Sequence, residues 1–132
     1  MSRHERDILA ANEAFYAAFA HKDMAAMESL WARETPVACL HPGWEALAGR
    51  ERVVESWRRI LLGGGAPDSV RCQRPIAHVI GDVGWVICEE ILPGGRLAAT
   101  NLFVREGAAW RMAHHQASPI PPAEPGPEGL PN

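Results

Sequence analysis

The sequence has no cluster of basic residues, no paired cysteines and no long apolar run. Its 13 Lys and Arg side chains are outnumbered by 16 Asp and Glu side chains, which gives a formal net charge of −3. Such a chain has no positive field with which to hold nucleic acid. No apolar stretch approaches the length that spans a membrane, and no N-terminal apolar segment follows a basic region. We therefore expect a cytoplasmic protein that binds neither nucleic acid nor membranes.

The cysteines, glycines and histidines form none of the usual metal, redox or phosphate motifs. Cys39, Cys72 and Cys88 are widely spaced and none belongs to a CxxC pair, so we interpret them as small buried apolar side chains in a reducing compartment. The glycines at 63–65 lack the Lys-Ser/Thr of a P-loop. No pair of histidines has the HxH or HxxxH spacing of a local metal site. The sequence predicts no metal ion and no cofactor.

The N-terminal half has the periodicity of three amphipathic helices. The first is predicted over 5–20. The second begins after Asp23, a suitable N-cap residue, and the third follows Gly49 and covers 50–62. Between the second and the third, residues 37–41 are predicted to form a short strand.

From residue 69 the apolar pattern has a period of two, which is typical of strands. The predicted strands are 69–80, 83–92, 96–105 and 109–118. Pro75 interrupts the first of them, which predicts an edge position or a bulge. Short turns favour antiparallel neighbours. Both strand faces are largely apolar, so the face away from the helices needs an interior cavity or a partner subunit to cover it.

The element order is therefore α-α-β-α-β-β-β-β, in one α+β domain over residues 1–118. Residues 119–132 contain six of the eleven prolines. This tail is predicted to be disordered or to lie loosely along the surface.

The order of the motifs resembles nuclear transport factor 2-like, SnoaL-like domains, over about residues 5–119. The matching pieces are Phe15-Tyr16, Asp23, Leu30-Trp31, His41-Pro42-Gly43, Gly49, Trp57, Gly81-Asp82-Val83, Trp85 to Glu90, Thr100 to Phe103, Trp110 to His115 and Ser118-Pro119.

The resemblance implies a cone-shaped half-barrel, with a strongly curved, mostly antiparallel sheet wrapped around three N-terminal helices. It also implies a pocket at the wide end and pairing of two chains through their sheets. Members include ketosteroid isomerases, polyketide cyclases and dehydratases, besides ligand-binding and assembly modules. The isomerases pair an Asp base with a pocket Tyr, whereas here the only tyrosine is Tyr16, on the first helix, and the strands have no Asp beyond the turn residue Asp82.

The last predicted strand carries the most informative polar residues. Alternation places Trp110, Met112, His114 and Gln116 on one face, which we expect to be the pocket side, and turns His115 to the opposite face. His114 is then a candidate catalytic base, and Gln116 a candidate ligand-binding residue. A histidine hydrogen-bonded to backbone or to a neighbouring strand is the structural alternative for His114 and for His41.

Glu90 is the second candidate catalytic residue. Glu89 and Glu90 are predicted to lie on opposite faces of one strand, and the resemblance implies that Glu90 is the one that faces inward, with Val86 and Cys88. A buried glutamate needs a donor, for which Asn101, His114 or an arginine are candidates. Two roles remain open for Glu90. It is either a general base or ligand anchor, or one member of a structural pair that joins adjacent strands. Asn101 either orients His114 or binds a ligand carbonyl.

Five tryptophans are many for a chain of this length. Trp44, in a loop near His41, is predicted to close the pocket mouth over a planar apolar ligand. Trp31, Trp57 and Trp110 are predicted core residues, and Trp57 is also a candidate ligand-binding residue. Trp85 is a candidate for an interface on the sheet face.

Three functional hypotheses follow. The first is a protein that binds a small, mostly apolar molecule in the cone cavity without catalysis, since the Asp/Tyr pair is missing. The second is a proton-transfer enzyme of the isomerase, cyclase or dehydratase type, with His114 or Glu90 as base and Asn101 or His41 as donor to the substrate oxygen. The third is an assembly module whose sheet face, with Trp85, Ile87 and Ile91, pairs with another chain. In each case we expect a homodimer through the sheet face.

Overall fold

A computed structural model of the protein describes residues 1–123. The helices are α1 (Arg3–His21), α2 (Met24–Leu30) and α3 (Arg50–Leu62), and the strands are β1 (Ala38–Leu40), β2 (Leu47–Ala48), β3 (Arg71–Ile80), β4 (Val83–Leu92), β5 (Gly95–Glu106) and β6 (Ala109–Ile120). The strands form one curved, unclosed sheet. The predicted α+β half-barrel is confirmed.

The sheet has the order β2-β1-β6-β5-β4-β3, and its only parallel pair within residues 1–123 is β1 with β6. The sequence pattern missed β2, which has two residues and therefore no readable period. Strand β6 continues two residues beyond its predicted end, because Pro119 and Ile120 pair with Leu97 and Arg96. The tail predicted from residue 119 thus begins inside the sheet, and its part over 124–132 lies outside the described residues.

Local hydrogen bonds explain where the first two helices begin. At the start of α1 the Ser2 hydroxyl accepts from the Glu5 amide and the Glu5 carboxylate accepts from the Ser2 amide, each at 3.1 Å, which forms a capping box. Asp23 caps α2, as predicted, by accepting from the Ala26 amide at 3.1 Å.

The predicted irregularity at Pro75 is present. Strand β3 is an edge strand, and its pairing with β4 shifts register between Gln73 and Ile76. Arg74 adopts a left-handed φ of 56° within this bulge. The bulge thus places Pro75, which has no amide hydrogen to donate, where the pairing of β3 with β4 is interrupted.

A second bulge, in β6, changes which residues face the helices. Leu102 pairs with His114 while the next residue of β5, Phe103, pairs with Met112, so Ala113 is an extra residue. The Met112 carbonyl instead accepts a hydrogen bond from the Ala32 amide at 2.9 Å. Since one extra residue reverses the alternation of a strand, every side chain beyond Ala113 changes face.

The predicted orientation of the His-His pair is therefore wrong. His115 is 1% exposed and faces the helices, whereas His114 is on the outer face and half-buried. Gln116 is likewise on the outer face and exposed. Trp110 and Met112 precede the bulge and are buried as expected.

The core lies between the helices and the inner face of the sheet. Trp31, Trp57 and Trp110, the predicted core tryptophans, are 0%, 1% and 8% exposed. Phe15 of α1 contacts Trp57 of α3 edge-on, with ring centroids 5.3 Å apart. Aromatic side chains therefore join α1 to α3.

Candidate functional site

A cavity of about 720 Å³ opens between α3, the loop after β1 and the inner face of the sheet. Four of the predicted site residues line it: His41, Trp44, Trp57 and Glu90. Asn101 lies behind the cavity wall, buried and in contact with wall residues. The remaining lining residues are Phe19, Pro42, Arg59, Ile60, Gly63, Gly65, Pro67, Leu92, Leu97 and His115. His114 and Gln116 do not line it, and the part that any of these residues has in ligand binding stays a prediction.

Glu90 projects from the inner face of β4 into the floor of this cavity. The side chain is 2% exposed, and its Oε2 atom accepts a hydrogen bond of 2.7 Å from the Tyr16 hydroxyl. Burial raises the pKa of Glu90 to about 7, against the lowering effect of the Tyr16 hydrogen bond. Glu89 faces outward and forms ion pairs with Arg74 and Arg96, at 3.5 and 3.2 Å. The expected orientation of Glu90 is confirmed.

Tyr16 is the partner of Glu90 that the sequence pattern did not identify. It lies on the buried side of α1, where its hydroxyl reaches Glu90, and Asn101 Nδ2 donates to the same oxygen at 3.1 Å. Burial and the neighbouring Glu90 charge hold the pKa of Tyr16 far above its ordinary value. Tyr16 therefore stays protonated and acts as a hydrogen-bond donor to the carboxylate. The helical spacing of Ile8, Asn12 and Tyr16 was the signal that could have placed its hydroxyl toward the sheet.

His115 is the second residue that was missed. The Asn101 amide group donates to Asn12 Oδ1 at 2.8 Å, besides its bond to Tyr16, so its oxygen is left to accept from His115 Nδ1 at 2.6 Å. His115 Nε2 then carries no proton and lies 3.8 Å from Glu90 Oε2. Burial, with smaller contributions from the charges of His41 and His114, lowers the pKa of His115 to about 3. One of the two roles predicted for Asn101 was to orient His114. Asn101 does orient a histidine, but that histidine is His115.

His41 is a neutral wall residue held by α3. Its Nε2 is 2.8 Å from the Ser56 hydroxyl, which itself donates to the Val53 carbonyl at 2.6 Å. His41 Nε2 must then be the donor, and Nδ1 remains an acceptor. Burial lowers the pKa of His41 to about 4. Both histidines of the cavity wall are therefore uncharged at neutral pH.

The mouth of the cavity is formed by Trp44 and Arg59. Trp44 is 39% exposed and contacts the His41 ring edge-on at 4.8 Å between centroids. The Arg59 guanidinium lies over the Trp44 ring, 5.7 Å from its centroid. Arg58, the preceding residue of α3, does not line the cavity.

The arrangement supplies one ionisable acid or base, two neutral imidazoles and an apolar wall. Glu90 has the tuning that proton transfer near neutral pH requires. Within residues 1–123, no three His, Cys, Asp or Glu side chains are grouped as metal ligands. In the same range, no helix combines the length and the apolar character needed to cross a membrane.

The sequence profile of the SnoaL-like domain matches residues 8–123. The chain belongs to the SnoaL-like domain family. No curated protein matches this SnoaL-like chain in sequence.

Solved structures of similar proteins share its fold. A nuclear transport factor 2-like protein of Streptomyces avermitilis, named as a candidate dehydratase, is 30% identical with a TM-score of 0.79, over 90% of this chain and 97% of that one. A candidate association domain of calcium/calmodulin-dependent protein kinase type II from Thiobacillus denitrificans is 34% identical with a TM-score of 0.71, over 86% and 94%. A nuclear transport factor 2-like protein of unknown function from Pseudomonas putida is 18% identical with a TM-score of 0.74, over 95% and 89%, and supports the fold alone.

Proposed function

We propose that this SnoaL-like protein binds a small, mostly apolar molecule in its cavity and that Glu90 transfers a proton to and from it. The observation that carries the proposal is the Glu90 carboxyl, which is buried at the cavity floor with a pKa raised to about 7. A group that titrates near the working pH serves both as base and as acid. The candidate dehydratase of Streptomyces avermitilis, at 30% identity, supports a reaction of this type.

The reaction that suits these residues removes a proton from a carbon next to a carbonyl group. The Glu90 carboxylate accepts the proton, and the Tyr16 hydrogen bond of 2.7 Å fixes the position of the carboxylate while it does so. The protonated Glu90 then returns the proton, to another carbon in an isomerisation or to a leaving hydroxyl in a dehydration. Asn101 is not the donor to the substrate oxygen, because both hydrogens of its amide group bond to Asn12 and Tyr16.

Glu90→Gln tests this role. With 2-tetralone as a bicyclic ketone probe in D2O, we expect wild-type protein to accelerate deuterium incorporation beside the carbonyl. The variant should lose about a hundredfold of that acceleration, the lower range of general acid–base effects. Proton NMR of the ketone gives the rate.

Glu89→Gln is the matched control, since it changes the adjacent glutamate on the opposite face of β4. It should retain the exchange rate. Equal rates for wild type and Glu90→Gln would contradict the proposed role of Glu90. Binding of 2-tetralone by wild type, seen as tryptophan quenching, with no exchange would support a binding protein without catalysis.

We also propose that the outer face of the sheet pairs two copies of the chain. On this face Ile76 and Ile87 are cross-strand neighbours and are 53% and 41% exposed. They border a groove that also includes Ala98 and Thr100. Exposed apolar side chains beside a charged group such as Glu89 are typical of an interface with a polar rim. The candidate association domain of Thiobacillus denitrificans, at 34% identity, supports assembly through such a domain.

Ile87→Glu should dissociate this dimer, because two like charges would be brought together in its apolar centre. Sedimentation velocity at micromolar concentration should show wild-type dimer and variant monomer. Leu62→Glu, the same kind of change at an exposed position of α3, should leave the dimer intact. A wild-type protein that sediments as a monomer would refute the pairing.

We propose a cytoplasmic location as well. All three cysteines within residues 1–123 are free, as is usual in a reducing compartment. Cys39 is buried and its pKa is raised to about 12 by burial, which suits an inert core position.

A further inference from the structure

We infer that the ligand of the cavity carries a carboxylate, which binds Arg59 at the mouth while the apolar body of the ligand extends toward Glu90. The inference rests on the cavity being the ligand site, as proposed above, and it adds the chemical class of the ligand and its direction in the cavity.

The first step is the charge at each end of the cavity. The floor has Glu90, whose carboxyl is ionised in part at neutral pH, and the unprotonated Nε2 of His115 at 3.8 Å from it. His41, further along the wall, is uncharged. A ligand anion near this floor would meet an acceptor and a carboxylate with no cation to balance them. An anionic group is therefore excluded from the floor.

The second step is the cation at the mouth. Among the described residues, 1–123, Arg59 is the only Arg or Lys that lines the cavity. It forms no ion pair with a carboxylate of residues 1–123. Glu45, Glu51 and Glu55 line the neighbouring groove, and none of them forms an ion pair with Arg59. The guanidinium is thus free to bind an anion that enters the mouth.

The third step is the path between the two ends. The guanidinium lies over Trp44 at 5.7 Å, Trp44 contacts His41 at 4.8 Å, and His41 lies 6.4 Å from His115, all measured to ring centroids. Trp57 and Leu97 add apolar wall beside this row. An apolar body along the row places its far end at Glu90 while a terminal anion reaches Arg59.

The shape of the donor group selects the anion. One planar guanidinium matches one planar carboxylate through two parallel hydrogen bonds. A doubly charged phosphate would keep uncompensated charge beside the apolar wall of the cavity. A monocarboxylate is therefore the anion that one exposed arginine at an apolar mouth fits best.

Two probes of the same size test the inference: 2-naphthoate and its uncharged amide, 2-naphthamide, each titrated by calorimetry at neutral pH. Wild-type protein should bind the carboxylate about fivefold more tightly, the upper range for an exposed ion pair. Added salt should reduce this preference, since exposed pairs are screened. Arg59→Gln should remove the preference, so that the variant binds the two probes with equal affinity.

Arg58→Gln is the control, because Arg58 is the adjacent arginine of α3 and is already paired with Glu28 and Glu55. It should keep the preference. If wild type binds both probes equally, or if the preference survives in Arg59→Gln, the carboxylate inference is overturned and ligand binding in the cavity stands. If neither probe binds wild type, the binding function itself fails, and the inference fails with it.

Discussion

Trp57→Ala is expected to lower the free energy of unfolding by about 3–5 kcal/mol, the usual range for removing a buried aromatic side chain. The indole is 1% exposed, and edge-on contacts join it to Phe15, Phe19 and His41 at centroid distances of 5.3, 4.9 and 4.8 Å. Its removal would enlarge an existing cavity, which the surrounding side chains can only partly refill. Urea unfolding followed by far-ultraviolet circular dichroism measures the loss, since tryptophan fluorescence changes with the substitution itself.

Trp44→Ala is the matched control, because it removes the same side chain from the same cavity at an exposed position. It should cost less than about 1 kcal/mol. It should nevertheless weaken binding of an apolar probe, because Trp44 covers the mouth. Equal losses of stability in the two variants would show that Trp57 is not the residue that joins α1 and α3 to the cavity wall.

The sequence predicted those parts of the fold that depend on local periodicity. Strand β4 and helix α3 have the predicted bounds, since ten alternating residues and thirteen helical ones give a clear period. The N-cap at Asp23 and the bulge at Pro75 were predictable because each follows from the chemistry of one residue. Strand β2 was not, because two residues have no period.

The orientation of the His-His pair required information that strand β6 does not contain. The bulge at Ala113 accompanies the hydrogen bond from the Ala32 amide to the Met112 carbonyl, and Ala32 lies just after the end of α2. A tertiary contact of this kind leaves no mark in the alternation of β6 itself. The histidine of the pair that lines the cavity is His115, and not His114 as the alternation predicted.

The hydrogen-bond network around Glu90 could not be predicted from the sequence, for the same reason. Tyr16, Asn12 and Asn101 come from α1 and β5, which are far apart in sequence and meet only when the sheet wraps around the helix. Glu90 was preferred to the adjacent Glu89 because the family resemblance places it on the inner face of the strand with Val86 and Cys88. The partners of a buried charge are set by the packing of whole elements, so the sequence indicated that Glu90 needs a donor but not which one.

The burial of Glu90 makes the free energy of unfolding depend on pH, and we expect Glu90→Gln to remove this dependence. The pKa of Glu90 is raised from 4.5 to about 7 in the folded state, mainly by burial. The folded protein therefore holds this proton more tightly than the unfolded chain does. The stabilising contribution is complete below pH 4.5 and is lost as pH rises through about 7, by about 3 kcal/mol in all. Glutamine has no proton to lose, so the variant should become more stable relative to wild type by that amount as pH rises.

The difference between the two proteins isolates Glu90 from the histidines. His41 and His115 have lowered pKa values, so their contributions are present above their ordinary pKa of 6.5 and are lost as pH falls toward about 4 and 3. These losses have the opposite sign to that of Glu90, but they occur in both proteins and cancel in the difference. Tyr16→Phe removes a hydrogen bond that favours the carboxylate and should raise the pKa of Glu90 further, which moves the steep part of the curve to higher pH. Urea unfolding measures the difference in the free energy of unfolding between wild type and Glu90→Gln. If this difference stays level from pH 4.5 to 8, Glu90 keeps an ordinary pKa, and its proposed role as an acid–base group at neutral pH loses its basis.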